Sequence, residues 1–204
     1  MNAGQVATSE GEILRLPDTS RLEARRRRYQ RQMARRVKSS KRRLRSKERA
    51  ARAARRIACV RKNWHHHVSR RLADSAHTIV IEALHPKAMT AGGGAYKRGL
   101  NRVIRETGWS SLRRMLEYKA GAVVTVNPAY TSQTCAECGN VDARSRRTQA
   151  VYLCVACGHV ANADLNAARN ILAAGSVASG REESTALAAS AIRQSAGEAL
   201  RASA

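Results

Sequence analysis

Apolar positions along the chain fall into short clusters separated by long polar stretches, and the spacing changes several times. Gln5–Ser9 and Glu12–Leu16 alternate over a few residues about Glu10-Gly11, the pattern of two short strands joined by a turn. From Ser20 onward the residues are strong helix formers with no Gly or Pro as far as residue 73. The one soft spot is Val37-Lys38-Ser39-Ser40, so the spacing predicts two helices, roughly 20–36 and 41–73, folded as a hairpin or a kinked rod. Ser20-Arg21-Leu22-Glu23 has the spacing of a capping box at the start of the first. His77-Thr78-Ile79-Val80-Ile81-Glu82 is β-branched and apolar, the mark of a buried strand. Residues 86–99, which contain Gly92-Gly93-Gly94, read as a flexible loop. A helix is predicted at about 109–120, a strand at Ala122–Val126, and a short amphipathic helix at 163–174. From Gly175 the Ala/Ser/Glu-rich tail reads as disordered or a loose helix. Alternating strands and helices make the chain α/β.

Charge changes this picture in one region. Lys plus Arg number 38 against 15 Asp plus Glu, a net charge of +23, and residues 21–73 alone hold 22 Lys/Arg against only Glu23 and Glu48. Basic residues surround the predicted helices too fully to be one salt-bridged face. Arg25, Arg26, Arg27, Arg28, Arg35, Arg36, Lys41, Arg42 and Arg43 are therefore candidate phosphate contacts. The run has almost no aromatic or Asn interleaving, so backbone contact is expected rather than base readout. Phe is absent and aromatics are 3%, so a large core is not expected. No apolar run suits a signal peptide or a membrane span, which points to the cytoplasm, where cysteines stay reduced.

In that compartment the five cysteines favour metal over disulfides. Cys135 and Cys138 form one CxxC pair and Cys154 and Cys157 a second, each followed by Gly. Two such pairs make a tetrahedral thiolate site of the zinc-ribbon kind, structural because four sulfurs leave no open position. Redox dithiols or unrelated thiols are the weaker readings. Cys59 reads as a packing residue, and His65-His66-His67 cannot face one ion from a helix. Arg144, Arg146 and Arg147 lie between the CxxC pairs and are candidate phosphate contacts. Tyr130 could stack on a base but is expected, like Trp109 and Tyr118, to pack in the core.

Two acids stand out by position: Glu82 ends its apolar run, and Asp164 opens the helix after the cysteines. Carboxylates at a strand end and a helix start can hold Mg²⁺ for phosphodiester hydrolysis. A solvated strand-end Glu and a helix-capping Asp are the ordinary alternatives. The runs IVIEALHPKAM, LEYKAGAVVTVNPAYTSQTCAECG and CVACGHVANADLNAARNIL resemble the transposon-encoded OrfB/TnpB proteins over roughly residues 5–174.

That resemblance implies a RuvC-like (ribonuclease-H-like) core, RNA-guided cleavage of DNA, and DNA and a guide RNA as partners. It implies structural Zn²⁺ and catalytic Mg²⁺, with Glu82 and Asp164 as the family's second and third catalytic acids. It divides the chain into a partial core with basic helices (1–127), a zinc ribbon (128–162), the last core helix (163–174) and a tail (175–204). The family's first catalytic Asp precedes a segment like GQVATSEGEILRLP, and no Asp stands in Met1–Gly4. The chain therefore looks like a C-terminal portion, a truncated core with an exposed sheet edge and doubtful activity alone. Asp18 reads as a helix-start residue instead. The alternative is a nuclease-dead, RNA- or DNA-binding regulator.

Overall fold

The computed structural model describes residues 4–178 and 190–192. The chain divides into two units, residues 16–67 and residues 1–15 with 68–204. No described helix is long and apolar enough to cross a membrane.

The strands and helices in chain order are β1 (Gln5–Thr8), β2 (Ile13–Arg15), α1 (Ser20–Ala34) and α2 (Lys41–Ser75). There follow β3 (Thr78–Glu82), α3 (Pro86–Met89), α4 (Arg98–Thr107), α5 (Trp109–Lys119) and β4 (Ala122–Val126). The last are β5 (Val151–Leu153), β6 (Val160–Asn162), α6 (Ala163–Ala178) and β7 (Ser190–Ile192).

In the first unit α1 and α2 form the hairpin alternative. Arg61 pairs with Glu23 at 3.2 Å, and the Arg49 guanidinium lies over the Tyr29 ring. Buried Ser46, Ala50, Ala53 and Ile57 recur at helical spacing along α2. The expected capping box does not form, because the N-cap residue is Thr19 rather than Ser20 and its side chain bonds none of the first-turn amides. Thr19 is the N-cap residue, Asp18 Oδ1 accepts from the Ser20 N–H at 2.8 Å, and Thr19 Oγ1 donates to Glu23 at 3.1 Å. Asp18 is thus a helix-start residue, as expected. Cys59 is exposed, not packed, because its position on α2 lies off the buried stripe.

The second unit carries the α/β core. β1 and β2 are an antiparallel hairpin whose turn needs Gly11 at φ +96°. β3 and β4 are parallel, paired from Thr78↔Ala122 to Glu82↔Val126. Between them the expected loop at 86–99 is partly helical, and α4 follows it. Leu100 and Ile104 pack with Met89, and Asn101 Nδ2 donates to the Thr90 and Gly92 carbonyls, holding the glycine turn. The three glycines mask this helix in the sequence, because its apolar positions begin only after them. Tyr118 and Tyr130 are exposed, against the expectation of core packing. The apolar side of α5 is taken by Trp109, Leu112, Met115 and Leu116.

The tail departs from expectation. α6 runs on to Ala178, and Ser190–Ile192 forms β7, antiparallel to β1 (Val6↔Ile192) and beside β3 and α6. β1 is therefore paired on both sides; the rest of the tail reading lies outside the described residues. Val80, Val126, Ala168 and Ile171 form the buried seam between sheet and α6. At Gly175 the helix approaches β3 so closely that an added Cβ would overlap the Val80 side chain. Gly175→Ala should lower stability in a denaturant titration. Overpacking costs about 1–3 kcal/mol, more than the roughly 1 kcal/mol that Ala gains over Gly in a helix. A stabilised variant would mean that α6 does not pack there.

Candidate functional site

Two features converge on the start of α6: a cluster of four thiols and a pair of buried acids. The thiols come from two turns of the same build. Gly139 N–H donates to the Cys135 carbonyl at 2.9 Å, and Gly158 N–H donates to that of Cys154 at 3.1 Å. Cys135 N–H donates to Asn140 O and Cys154 N–H to His159 O, at 2.8 and 2.9 Å. Both glycines stand at positive φ, +72° and +74°, where a side chain would strain the turn. β5 and β6 form the antiparallel pair that carries the second turn. Cys135, Cys154, Ala163 and the fully buried Tyr152 make the small core beneath.

All four sulfurs lie within 4.8 Å of one another, the one metal-binding group of this kind among the described residues. Cys135 to Cys157 and Cys138 to Cys154 are each 3.7 Å apart. That is far from a bonded pair, which would be about 2 Å. It matches the edge of a tetrahedron with metal–sulfur bonds of about 2.3 Å, which is about 3.8 Å. The cluster can therefore take a metal such as zinc. The Cys157 N–H directed at Cys154 Sγ draws that thiol down, while the neighbouring thiols push Cys157 up.

The acids are placed by the core. Glu82 is the last residue of β3, and every side chain of that strand is buried. Asp164 lies in the first turn of α6 and is 3% exposed. The helix cap is supplied by Asn162, whose Oδ1 accepts from the Asp164 and Leu165 N–H groups at 2.9 and 3.3 Å. The capping alternative for Asp164 is therefore taken by a neighbour, and its carboxylate accepts instead from the Gln5 side-chain amide on β1. Glu82 Oε1 accepts from Thr131 Oγ1 at 2.6 Å. Burial pushes the Glu82 carboxyl up to about 7. Thr131 opposes the rise, the Asp164 charge adds to it, and Arg146 pulls it back. Two buried carboxylates repelling each other form a place where a divalent cation would relieve both burial and repulsion. These residues fit Mg²⁺.

Gln5, Thr131, Asn166 and Asn170 lie within the stretch that carries the family resemblance, but sequence reasoning singled none of them out. Asn166 is fully buried, donating to Thr134 O at 2.8 Å and accepting from Ala136 N–H at 3.0 Å. Asn170 donates to the Thr131 and Thr134 carbonyls at 3.0 and 2.7 Å. The asparagines fasten the thiol-bearing segment to the helix that carries Asp164.

The candidate phosphate contacts divide. Arg146 lies near Glu82, whereas Arg144 is held by Asp142 at 2.7 Å. Arg36 donates to Arg42 O at 2.6 Å and Arg43 to Met33 O at 2.6 Å, so these two brace the bend between α1 and α2.

Comparison with known proteins finds two family models along the chain. A family model described as a probable transposase (OrfB of IS605) matches residues 6–91. The TNB domain of Cas12f1-like proteins matches residues 109–171. The chain is 38% identical over 162 residues to the putative RNA-guided DNA endonuclease InsQ of Escherichia coli (strain K12), covering 72% of this chain and 40% of that protein. It is 34% identical over 180 residues to a putative RNA-guided DNA endonuclease of Streptomyces pristinaespiralis, covering 85% and 43%. It thus spans about two fifths of the length of these curated relatives. Among solved structures, a Cas12f1–sgRNA–target DNA complex is similar at 21% identity with a TM-score of 0.47, over 74% of this chain and 39% of that one.

Proposed function

The chain belongs to the transposon-encoded OrfB/TnpB family, and from that premise we propose that it is the nucleic-acid-binding and acid-bearing portion of an RNA-guided DNA endonuclease. The observation that carries this reading is the meeting of buried Glu82 and Asp164 at the end of β3 and the start of α6. In this reading β1–β4 and α6 belong to a RuvC-like core, residues 128–162 are a zinc ribbon handling the strands, and the protein works in the cytoplasm. Guide RNA and DNA are its partners, bound through the Arg-rich helices and the ribbon.

The chain's own residues do the positioning. Gln5 orients the Asp164 carboxylate and Thr131 that of Glu82. Both acids would hold Mg²⁺, which when bound supplies Lewis acidity at a phosphodiester and lowers the pKa of water. Two carboxylates offset only half the charge of two such ions, so hydrolysis needs a further acid besides Glu82 and Asp164. Among the described residues no group of three or more acids is gathered around Glu82 and Asp164, and this favours a second reading, a binding protein that does not cut.

Target-plasmid cleavage with Mg²⁺ and the cognate guide RNA separates the two. Cutting that disappears in Asp164→Asn supports the nuclease. Binding of both nucleic acids without cutting sinks the nuclease for this chain, and absence of binding sinks both readings. The basic helices have their own test. Replacing Arg25, Arg26, Arg27 and Arg28 by Gln should flatten the slope of log affinity against log salt by about 3, at roughly 0.7–0.9 per phosphate contact. An unchanged slope would make these arginines plain surface charge.

A further inference from the structure

α6 carries one acid of the buried pair and, less than two turns on, a grip on the residue that holds the other. Asp164 and Asn170 stand on the same helix, about 9 Å apart along its axis. Asn170 Nδ2 donates to the Thr131 carbonyl at 3.0 Å and to that of Thr134 at 2.7 Å. Thr131 is 8% exposed, and its hydroxyl reaches Glu82. Asn166 holds Thr134 and Ala136, nearer the thiols, so Asn170 is the asparagine that touches Thr131. The helix itself is fixed against β3, through Ala168 and Ile171 and the close approach of Gly175 to Val80.

Two observations show that Thr131 needs placing. Its hydroxyl has a single hydrogen and more than one acceptor within reach, Glu82 Oε1 at 2.6 Å and Pro128 O at 3.1 Å. A small shift of the Thr131 backbone decides between them. The residue before it, Tyr130, stands at φ +62°, a left-handed conformation that a bulky side chain rarely adopts. Such a conformation persists only where the surroundings impose it. Tyr130 is 66% exposed, so packing of its side chain does not impose it. The bonds of the turn do. The Gln133 and Thr134 N–H groups donate to Tyr130 O at 2.8 and 3.0 Å, and Asn170 takes the carbonyls of Thr131 and Thr134.

We propose that Asn170 is a positioning residue for Glu82. By fixing the Thr131 carbonyl it aims the Thr131 hydroxyl at Glu82 Oε1 rather than at Pro128 O, and so leaves the other carboxylate oxygen for a cation. One rigid helix then sets both acids, Asp164 directly and Glu82 through Asn170 and Thr131. The use of that placement for a metal rests on the endonuclease reading; the linkage between Asn170 and Glu82 does not.

The zinc-loaded full chain serves throughout, and its zinc content checks that the ribbon is intact. The first measurement is a double-mutant cycle in Mg²⁺-free buffer, read as the unfolding equilibrium constant. Thr131→Val should raise that constant about fivefold more in the parent than in Glu82→Met, where methionine fills the place without an acceptor, as expected for a hydrogen bond to a charged group. In the Asn170→Ala background this excess should fall to less than half. An asparagine with only a structural role would destabilise every member of the cycle alike and leave the excess unchanged, which overturns the proposal. An excess absent from the parent overturns it too, because Thr131 would then not hold Glu82. If Asn170→Ala does not take up zinc, Asn170→Leu replaces it under the same criteria. The second probe is Mn²⁺, with the free ion counted by electron paramagnetic resonance. Asn170→Ala should weaken the midpoint several-fold, adding Thr131→Val should weaken it no further, and Thr131→Ser alone should keep the parent midpoint. A Glu82-dependent midpoint that is unchanged in Asn170→Ala overturns the proposal. Mn²⁺ binding indifferent to Glu82→Gln, with the metal-free excess lost as expected, fails only the metal reading.

Discussion

Cys135→Ser should reduce bound zinc from about one per chain to well below that and unfold residues 128–162. The ribbon has little else to hold it. Its paired strands are three residues each, and its apolar centre is Tyr152, Cys135, Cys154 and Ala163. So small a core cannot offset the backbone entropy of ordering the segment, about 1–2 kcal/mol per residue. Metal binding, about 10–16 kcal/mol in zinc-finger peptides, supplies the difference. Serine keeps the turn but not the thiolate, and it leaves three sulfurs around a site built for four. Metal analysis after dialysis gives the stoichiometry. Limited trypsin digestion reports the fold, because Arg144, Arg146 and Arg147 lie within the segment. Full zinc in the variant, or a protease-resistant ribbon without zinc, would refute the tetrathiolate assignment. The effect should spread: Asn166 and Asn170 grip the ribbon's entry, and Thr131 in that entry holds Glu82.

The elements with a local signature were legible in the sequence. β3 and β4 are apolar and β-branched, α5 has an apolar side at helical spacing, and the two thiol turns announce themselves by Cys and Gly alone. What was not legible depends on partners far away along the chain. Gln5 meets Asp164 across 159 residues and Thr131 meets Glu82 across 49; a polar residue in a short strand or turn gives no hint of such a partner. The extension of α6 was hidden because Gly175 reads as a helix end, when its missing side chain serves contact with Val80. β7 was hidden for a related reason, since a three-residue strand is selected by the open edge of β1 rather than by its own composition. The charge of α1 and α2 was plain, but which arginines face outward was not: Arg36 and Arg43 are spent on the bend.

Glu82→Gln should make the protein more stable above neutral pH, although it removes an acid from the proposed metal site. The Glu82 carboxyl is raised from 4.5 to about 7, chiefly by burial. Between those values the folded protein holds a proton that the unfolded chain has released. Stability from this group is therefore complete below about pH 4.5 and falls as pH rises through 7. At pH 8 the loss approaches about 3 kcal/mol, from about 1.4 kcal/mol for each pH unit between the two values. Glutamine keeps an acceptor for Thr131 Oγ1 and carries no charge, so the difference in stability between variant and parent should be small at pH 4.5. It should grow to about 3 kcal/mol at pH 8, measured by denaturant unfolding in Mg²⁺-free buffer with zinc retained. Working on the difference cancels other titrating groups: Asp18 and Asp142 are lowered, so their contributions change only at more acid pH. Mg²⁺ supplies the second half of the argument. A cation held by Glu82 and Asp164 compensates the buried charge, so adding it at pH 8 should stabilise the parent and leave Glu82→Gln much less affected. A pH-independent difference would show that Glu82 is hydrated rather than buried. A pH-dependent difference with no response to Mg²⁺ would keep the buried acid and remove the metal from it.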